Sequence, residues 1–434
     1  MLAKEICEWL ICEDPDQHAP LSLLGCVNFA LGAYGSAMAA HALSLHLAKA
    51  CGQVNNLHLY NIANTMYRTY HFEIADTLFG QAVKADPGMS DVWATYAGLM
   101  MASGQPERCE EYARKALEID PNNVIGHYHL GFALLMQNRW PEGWAEMEWR
   151  KRRPDWTRGR YAMIDWDGKE FDGTVIIHAE QGIGDELFYL SLIRRVQALV
   201  SRVVVECSQR LVPLLRRSLT CEVYGSLEEC VANGALPQVV LDDEKHGITI
   251  DGNGEWPARP RVAAMGSLPF LLGVSREDCA DNHYLRPDPF RRLYWRTRLE
   301  KLANGRPIVG VAWVGGAFET HKKLRNPPRE MFERLDPEKY CLVSVQYTQG
   351  AAEQAARMGF HHFQAAIDDL DEQAALIAAL DCLVSVAQAA MHIAGGLNMP
   401  TLALIHQYPK WDCGRPGEDG LPWWSSVQAV RQTS

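Results

Sequence analysis

None of the twelve cysteines in this sequence forms a CxxC pair. That absence removes the usual zinc and thioredoxin-like readings and favours a reducing, cytoplasmic setting. Positive charge is also short: 42 Lys and Arg stand against 53 Asp and Glu, a formal charge of −11. A chain whose main task is to wrap duplex nucleic acid needs a positive footprint, so that class is disfavoured, although a local basic patch stays open. The opening residues lack a basic segment followed by an apolar core, so no secretory signal is expected. Between Pro20 and Ala48 there is no Asp, Glu, Lys or Arg at all. That stretch is long enough to span a bilayer. Asn28, His41 and His46 interrupt it, and Gly32 and Gly35 divide it, so a buried helix pair is expected and no membrane partner. With 434 residues, 47% of them hydrophobic and 22% charged, the composition is that of a globular protein of about three domains.

The first third repeats. Pro87, Pro121 and Pro154 are 34 and 33 residues apart, the period of paired helices stacked in an array. Ala63, Ala75, Phe79 and Ala82 occupy the packing positions of one unit, and Trp93, Ala97, Gly104 and Ala116 those of the next. Leu130, Gly131, Trp144 and Met147 continue the pattern. Small residues let two helices approach, large ones fill the next groove, and each unit buries its apolar face only against its neighbours. Residues 19–50 have the same texture and read as a degenerate first unit or cap. Over about residues 20–156 the chain resembles the tetratricopeptide repeat family. The resemblance implies a concave surface for a peptide or protein; bracing of the following domain is the equal alternative.

Residues 150–160 carry six basic side chains in eleven. They read as a solvated linker, or as a basic rim near a phosphate-bearing substrate. Beyond them strands alternate with helices. Thr174–Ala179 and Val203–Cys207 are β-branched apolar runs enclosing a glycine turn and a helical segment, a βαβ unit of a parallel sheet. The pattern restarts at Pro307–Trp313 and continues through Cys341–Val345, Cys382–Val386 and Thr401–Ile405, with residues 285–306 as the crossover. Two such halves place a ligand at the carboxyl ends of their strands.

Three segments could carry chemistry. Gly182, Gly184 and Asp185 follow a strand and open a helix, where backbone N–H groups favour an anion. The third glycine of the dinucleotide fingerprint is missing, so a plain NAD site is rejected. Asp185 is either a general base or an ordinary helix cap. Gly315 and Gly316 precede His321, Lys322, Lys323 and Arg325; a glycine turn with cations suits a diphosphate, and a solvated basic loop suits it equally. The third segment, Ser385 to Gly396, ends a strand and starts a helix that contains His392, read either as a packed core histidine or as a ligand contact.

Together these segments resemble the bacterial tetratricopeptide-linked glycosyltransferases, whose catalytic half is similar to the heptosyltransferase-like family 9 enzymes. The matching pieces are IHAEQGIGDELF at 177–188, VGVAWVGGAFETHKKLRN at 309–326, VSVQ at 343–346, DEQAALIAALDCLVSVAQAAMHIAGGLNMP at 371–400, and PKWDC with WW within 409–424. The resemblance implies a helical repeat array followed by a GT-B fold of two Rossmann-like domains. The expected divisions are a cap at 1–53, repeats at 54–156, an acceptor domain at 157–290 and a nucleotide-sugar donor domain at 291–434. It implies Asp185 as the base, and Gly182, Gly184, Gly315, Gly316, His321, Lys323, Arg325, Gln346, Gln388 and His392 around the donor. No metal and no cofactor beyond the nucleotide sugar itself are expected, since no DxD-like pair stands where a metal would. The chain departs from the family at Ala387-Gln388, where relatives carry Asp-Thr, and at 321–328, where the acidic residue and second arginine are missing. The implied activity is inverting transfer of a sugar to an acceptor hydroxyl, the acceptor being a protein held by the repeats. The alternatives are a non-catalytic repeat scaffold, or a transferase acting on a lipid-linked glycan or on hydroxylated DNA bases.

Overall fold

The computed structural model describes residues 2–153, 156, 163–234, 239–242, 247–250, 259–279, 282–315, 326–406, 411–415 and 417–431; in 239–242 and 247–250 only the backbone is described. The chain forms two compact units, Met1–Arg150 and Lys151–Ser434.

The first unit is helical throughout: α1 (Leu2–Glu13), α2 (His18–Ala30), α3 (Tyr34–Ala50), α4 (Asn56–Arg68), α5 (Phe72–Ala85), α6 (Ser90–Ala102), α7 (Pro106–Ile119), α8 (Val124–Met136) and α9 (Trp140–Met147). The uncharged stretch 20–48 is the pair α2 and α3, turned at Gly32 with φ 75°. No helix among the described residues is long and apolar enough to cross a membrane. The repeat is written into the turns. Tyr70, Gly104 and Asn138 stand at the same point of three successive pairs, α4–α5, α6–α7 and α8–α9, each in the left-handed region with φ of 67°, 73° and 61°. Such a residue closes the carboxyl end of a helix. Gly104, expected at a packing position, therefore serves the turn instead. Ala63, Ala75, Phe79, Ala82, Ala97, Ala113, Leu130 and Leu134 share one core, and the alanines are what let the helices approach. Tyr96 stacks on Phe79 at 5.2 Å and its hydroxyl donates to the Asp76 carboxylate at 2.5 Å. Arg150, read as part of a solvated linker, is buried and donates to the Met147 carbonyl and the Glu148 carboxylate.

Three histidines gather where α2, α3 and α4 meet. His18 and His58 have ring centroids 5.3 Å apart, and His41 is buried under Gly25. Burial holds His41 down to about 4, with His58 as the lesser cause, and burial also lowers His58. A lowered histidine favours the folded state only while it is neutral. Its contribution is complete above about pH 6.5 and is lost as the pH falls towards and through 4. Thermal melts of residues 1–150 within the intact chain should therefore drop between pH 6.5 and 4, by about 3 kcal/mol for His41. His41→Leu should flatten that slope; an unchanged slope in the variant contradicts the assignment.

The second unit holds two parallel sheets. Strands β1 (Ile164–Asp165), β2 (Phe171–His178), β3 (Val200–Glu206), β4 (Glu222–Tyr224) and, after an antiparallel hairpin of β5 (Val239–Asp242) and β6 (Gly247–Ile250), β7 (Arg261–Ala264) make the first, in the order β1-β7-β2-β3-β4. Its core register pairs Ile176 with Val204 and with Val262. The second sheet contains β8 (Ile308–Ala312), β9 (Cys341–Ser344), β10 (His361–His362), β11 (Cys382–Val386), β12 (Thr401–Ile405) and β13 (Val427–Arg431), in the order β10-β9-β8-β11-β12-β13. Both sheets have helices packed on them, which is why their central strands read as unbroken apolar runs and not as alternating ones. The second order is that of the doubly wound α/β fold, in which the order of the parallel strands reverses between β8 and β11.

The connecting helices are α10 (Ile183–Leu190), α11 (Ile193–Gln197), α12 (Val212–Ser218), α13 (Leu227–Ala232), α14 (Leu268–Leu271), α15 (Pro289–Ala303), α16 (Ala351–Arg357), α17 (Gln364–Asp368), α18 (Leu370–Ile377) and α19 (Ala389–Gly396). The arginine-rich crossover is α15. Asp288 caps it by accepting from the Phe290 and Arg291 N–H groups. The two sheets are tied together: α10 packs on α19, the Tyr284 and Leu285 N–H groups both donate to the Gly396 carbonyl, and the Tyr284 hydroxyl donates to the Leu187 carbonyl at 2.9 Å. The Trp423 indole donates to Ser191 at 2.9 Å, and the guanidinium of Arg217 grips Asp371.

Candidate functional site

The site is built where the strands end. After β2 the chain passes Glu180 and Gly182 and enters α10. Asp185, the third residue of that helix, turns its carboxylate back to accept the Gly182 N–H at 3.3 Å. Gly182 is therefore the N-cap, and Asp185, read as an N-cap candidate, is instead the N3 residue that bonds back to it, on a side chain that stays partly exposed. Two neighbouring carboxylates that sequence reasoning passed over brace the same corner. Glu180 accepts from the Gly266 N–H at 2.8 Å and from the Trp156 indole at 2.9 Å, linking the ends of β2 and β7. Glu186 is buried, accepts from the Ser208 N–H and hydroxyl, and is pushed above the usual carboxylate range by that burial. Glu180 and Glu186 each tie the corner to a neighbouring loop; Asp185 bonds within its own turn and faces solvent in part.

Across from this corner, Gly315 follows β8. A Cβ there would stand 2.6 Å from the Ala387 carbonyl and 3.2 Å from the Gln388 Cβ. Only glycine lets the end of β8 lie so close to the end of β11. The Gly315 N–H donates to the Asn326 side chain at 2.8 Å. Gln346, expected against the donor, is fully enclosed: its Oε1 accepts from the Trp313 and Val314 N–H groups, and its Nε2 donates to the Val314 carbonyl. Its amide shapes the strand end and is engaged on both sides by backbone. Gln388, the residue before α19, is 6% exposed, and among the described residues neither its Oε1 nor its Nε2 has a hydrogen-bond partner.

His392 lies one turn into α19. The Trp424 indole donates to its Nδ1 at 3.2 Å, so the neutral ring carries its proton on Nε2. That Nε2 is 3.8 Å from where a Cβ on Gly184 would be, and Cδ2 is 3.2 Å from it. Phe188 of α10 stacks on Trp423 at 3.7 Å and meets His392 edge-on at 6.0 Å. The first and third sequence segments therefore meet at the α10–α19 contact, and Gly315 meets Gln388 at the β8–β11 crevice. Gly316, His321, Lys323 and Arg325 lie outside the described residues. A cavity of about 340 Å³ opens one strand further on, at the ends of β12 and β13, between Pro327, Met331, Ile405, His406 and Val430, and is lined by none of the expected donor residues that are described. Among the described residues no group of three or more His, Cys, Asp or Glu side chains is placed to hold a metal ion. The aromatic set that fixes His392 was signalled only by the adjacent Trp423-Trp424.

The tetratricopeptide repeat family matches residues 112–145, from the middle of α7 into α9, and the chain carries such a repeat. Protein FlbA of Caulobacter vibrioides is 27% identical over 310 residues, which are 68% of this chain and 50% of FlbA. The chain spans about half the length of that relative. Among solved structures, MamA of Desulfovibrio magneticus RS-1 is similar at a TM-score of 0.30 and 18% identity, over 35% of this chain and 86% of the other. YrrB, a TPR protein with an unusual peptide-binding site, is similar at 0.29 and 16%, over 35% and 76%.

Proposed function

We propose that the second unit is a glycosyltransferase of GT-B type, moving a sugar from a nucleotide-activated donor to an acceptor hydroxyl. The observation that carries this reading is the juxtaposition of two parallel sheets at their strand ends: the Gly182–Asp185 turn on one faces, through Gly184, the His392 helix of the other. In the proposed step the acceptor oxygen bonds to the anomeric carbon as the bond from that carbon to the diphosphate oxygen breaks, with inversion. Asp185 takes the hydroxyl proton, and the electron pair leaves with the diphosphate. The N–H groups at the start of α19 and the cations Lys323 and Arg325 stabilise the departing charge. The step needs no metal and no cofactor other than the nucleotide sugar. The acceptor is a protein held by the repeats. Peptide capture is common to such arrays, and YrrB is one with a peptide-binding site.

The reading is tested by melting the purified chain with UDP, GDP, ADP, dTDP and CMP. A nucleotide at about 100 times its dissociation constant stabilises by about 2.7 kcal/mol, a shift of several degrees. One responding nucleotide supports a donor site and names the donor class. Silence across the panel, repeated in calorimetry, favours the second reading, a non-catalytic repeat scaffold. That reading draws on two observations: Asp185 already bonds back to the start of its own helix, and Ala387-Gln388 stands where relatives carry Asp-Thr, so the acid is missing.

A further inference from the structure

Gln388 stands apart from the buried amides around it. Gln346 has its acceptor used twice and its donor once, and the Gln373 Nε2 donates to the Val345 carbonyl at 3.0 Å. Gln388 is 6% exposed with both ends of its amide unmatched among the described residues. It makes no cap bond to the eight-residue helix it precedes, and its Cβ sits against Gly315 at the point where the doubly wound sheet reverses. A buried polar group is normally satisfied, so an open donor and an open acceptor side by side define what must arrive there.

We infer that Gln388 selects the ligand of this crevice by taking two adjacent hydroxyls, a vicinal diol, and not a phosphate. The inference rests on the donor-site reading above. An ionised phosphate or a sugar carboxylate only accepts; it would satisfy Nε2 and confront Oε1 with a second acceptor. A hydroxyl both donates and accepts, and two on neighbouring carbons answer both ends of one amide. The diphosphate then lies on the N–H groups of α19, which can only donate. Residue 388 is a neutral amide and residue 387 an alanine, so no side-chain charge there opposes the diphosphate. A nucleotide sugar carries vicinal diols in two places, the ribose and the transferred sugar, and both present the same chemistry.

The test is calorimetry on the full chain, wild type against Gln388→Leu. The probes are UDP, GDP and ADP, their 2′-deoxy forms, UDP-glucose, GDP-mannose, ADP-glucose and inorganic pyrophosphate. The leucine variant should melt above the wild type without ligand, because an unmatched amide has been removed. It should bind the diol-bearing probe about tenfold or more weakly. If the diol is the ribose, the loss is seen with the plain diphosphate and vanishes with its 2′-deoxy form. If it is the transferred sugar, the loss is confined to the hexose conjugate. Equal affinities in both proteins overturn the role of Gln388 and leave the donor site standing. An equal loss for pyrophosphate marks a phosphate contact and overturns the diol. Absence of binding to the wild type overturns the donor site, and this inference with it.

Discussion

Exchanging Asp185 for asparagine should lower sugar transfer by about a hundredfold to ten-thousandfold, the usual yield of a positioned general base, while the melting temperature stays in place. The two roles of this side chain are separable. As a cap, Asp185 needs only an acceptor oxygen for the Gly182 N–H, and asparagine keeps one. As a base it must take a proton, which an amide does not do. Alanine removes both functions, so Asp185→Ala should also lose about 1 kcal/mol of stability, the ordinary cost of a lost cap. Nucleotide affinity should be unchanged in either variant if, as proposed, the donor lies against the second sheet. If the asparagine variant turns over at the wild-type rate, Asp185 is a cap and nothing more.

Gly395→Ala should be a damaging single methyl group in the second unit. A Cβ at that position would sit 2.4 Å, 2.6 Å and 2.9 Å from three ring atoms of Trp424. Trp424 is buried and cannot swing away. Alanine favours a helix over glycine by about 1 kcal/mol, but overpacking a closed core costs about 1–3 kcal/mol and more where the neighbour is rigid. The net is a loss of about 2 kcal/mol, read as a fall of several degrees in the melting temperature. The function falls with it, since Trp424 holds the His392 Nδ1; displaced, it frees the ring to rotate away from Gly184. A variant that melts as the wild type and keeps full activity contradicts this packing.

The elements legible in the sequence were those with a strong period or a dense apolar run. The helix pairs showed in the proline spacing and in alanines such as Ala63 and Ala97, because stacking allows little else there. The central strands showed as Val175–Ile177, Val203–Val205 and Cys382–Val386, because strands covered on both faces are apolar throughout. The edges did not show. Gln428 and Arg431 break the apolar run of β13, and β7 is a short strand whose place beside β2 depends on a long-range pairing. Gly104 was misplaced because its spacing matched a packing position, whereas its backbone serves a turn that Tyr70 and Asn138 build without glycine. In the site, Gly182, Asp185, Gly315 and His392 were legible from motif and resemblance. The engagement of Gln346 and the unmatched amide of Gln388 were not, since whether an amide is satisfied depends on neighbours such as Trp313 and Val314 that no local pattern reveals.

The central claim is that this crevice activates a nucleotide sugar. The most direct measurement is release of nucleoside diphosphate from UDP-glucose, GDP-mannose, ADP-glucose and dTDP-glucose by the wild type and by Asp185→Asn, with the anomer of the freed sugar read by NMR. The account predicts slow release from one of these donors, an inverted anomer, and loss of both in the asparagine variant. No release from any donor by a folded chain whose melting temperature ignores every nucleotide would contradict it.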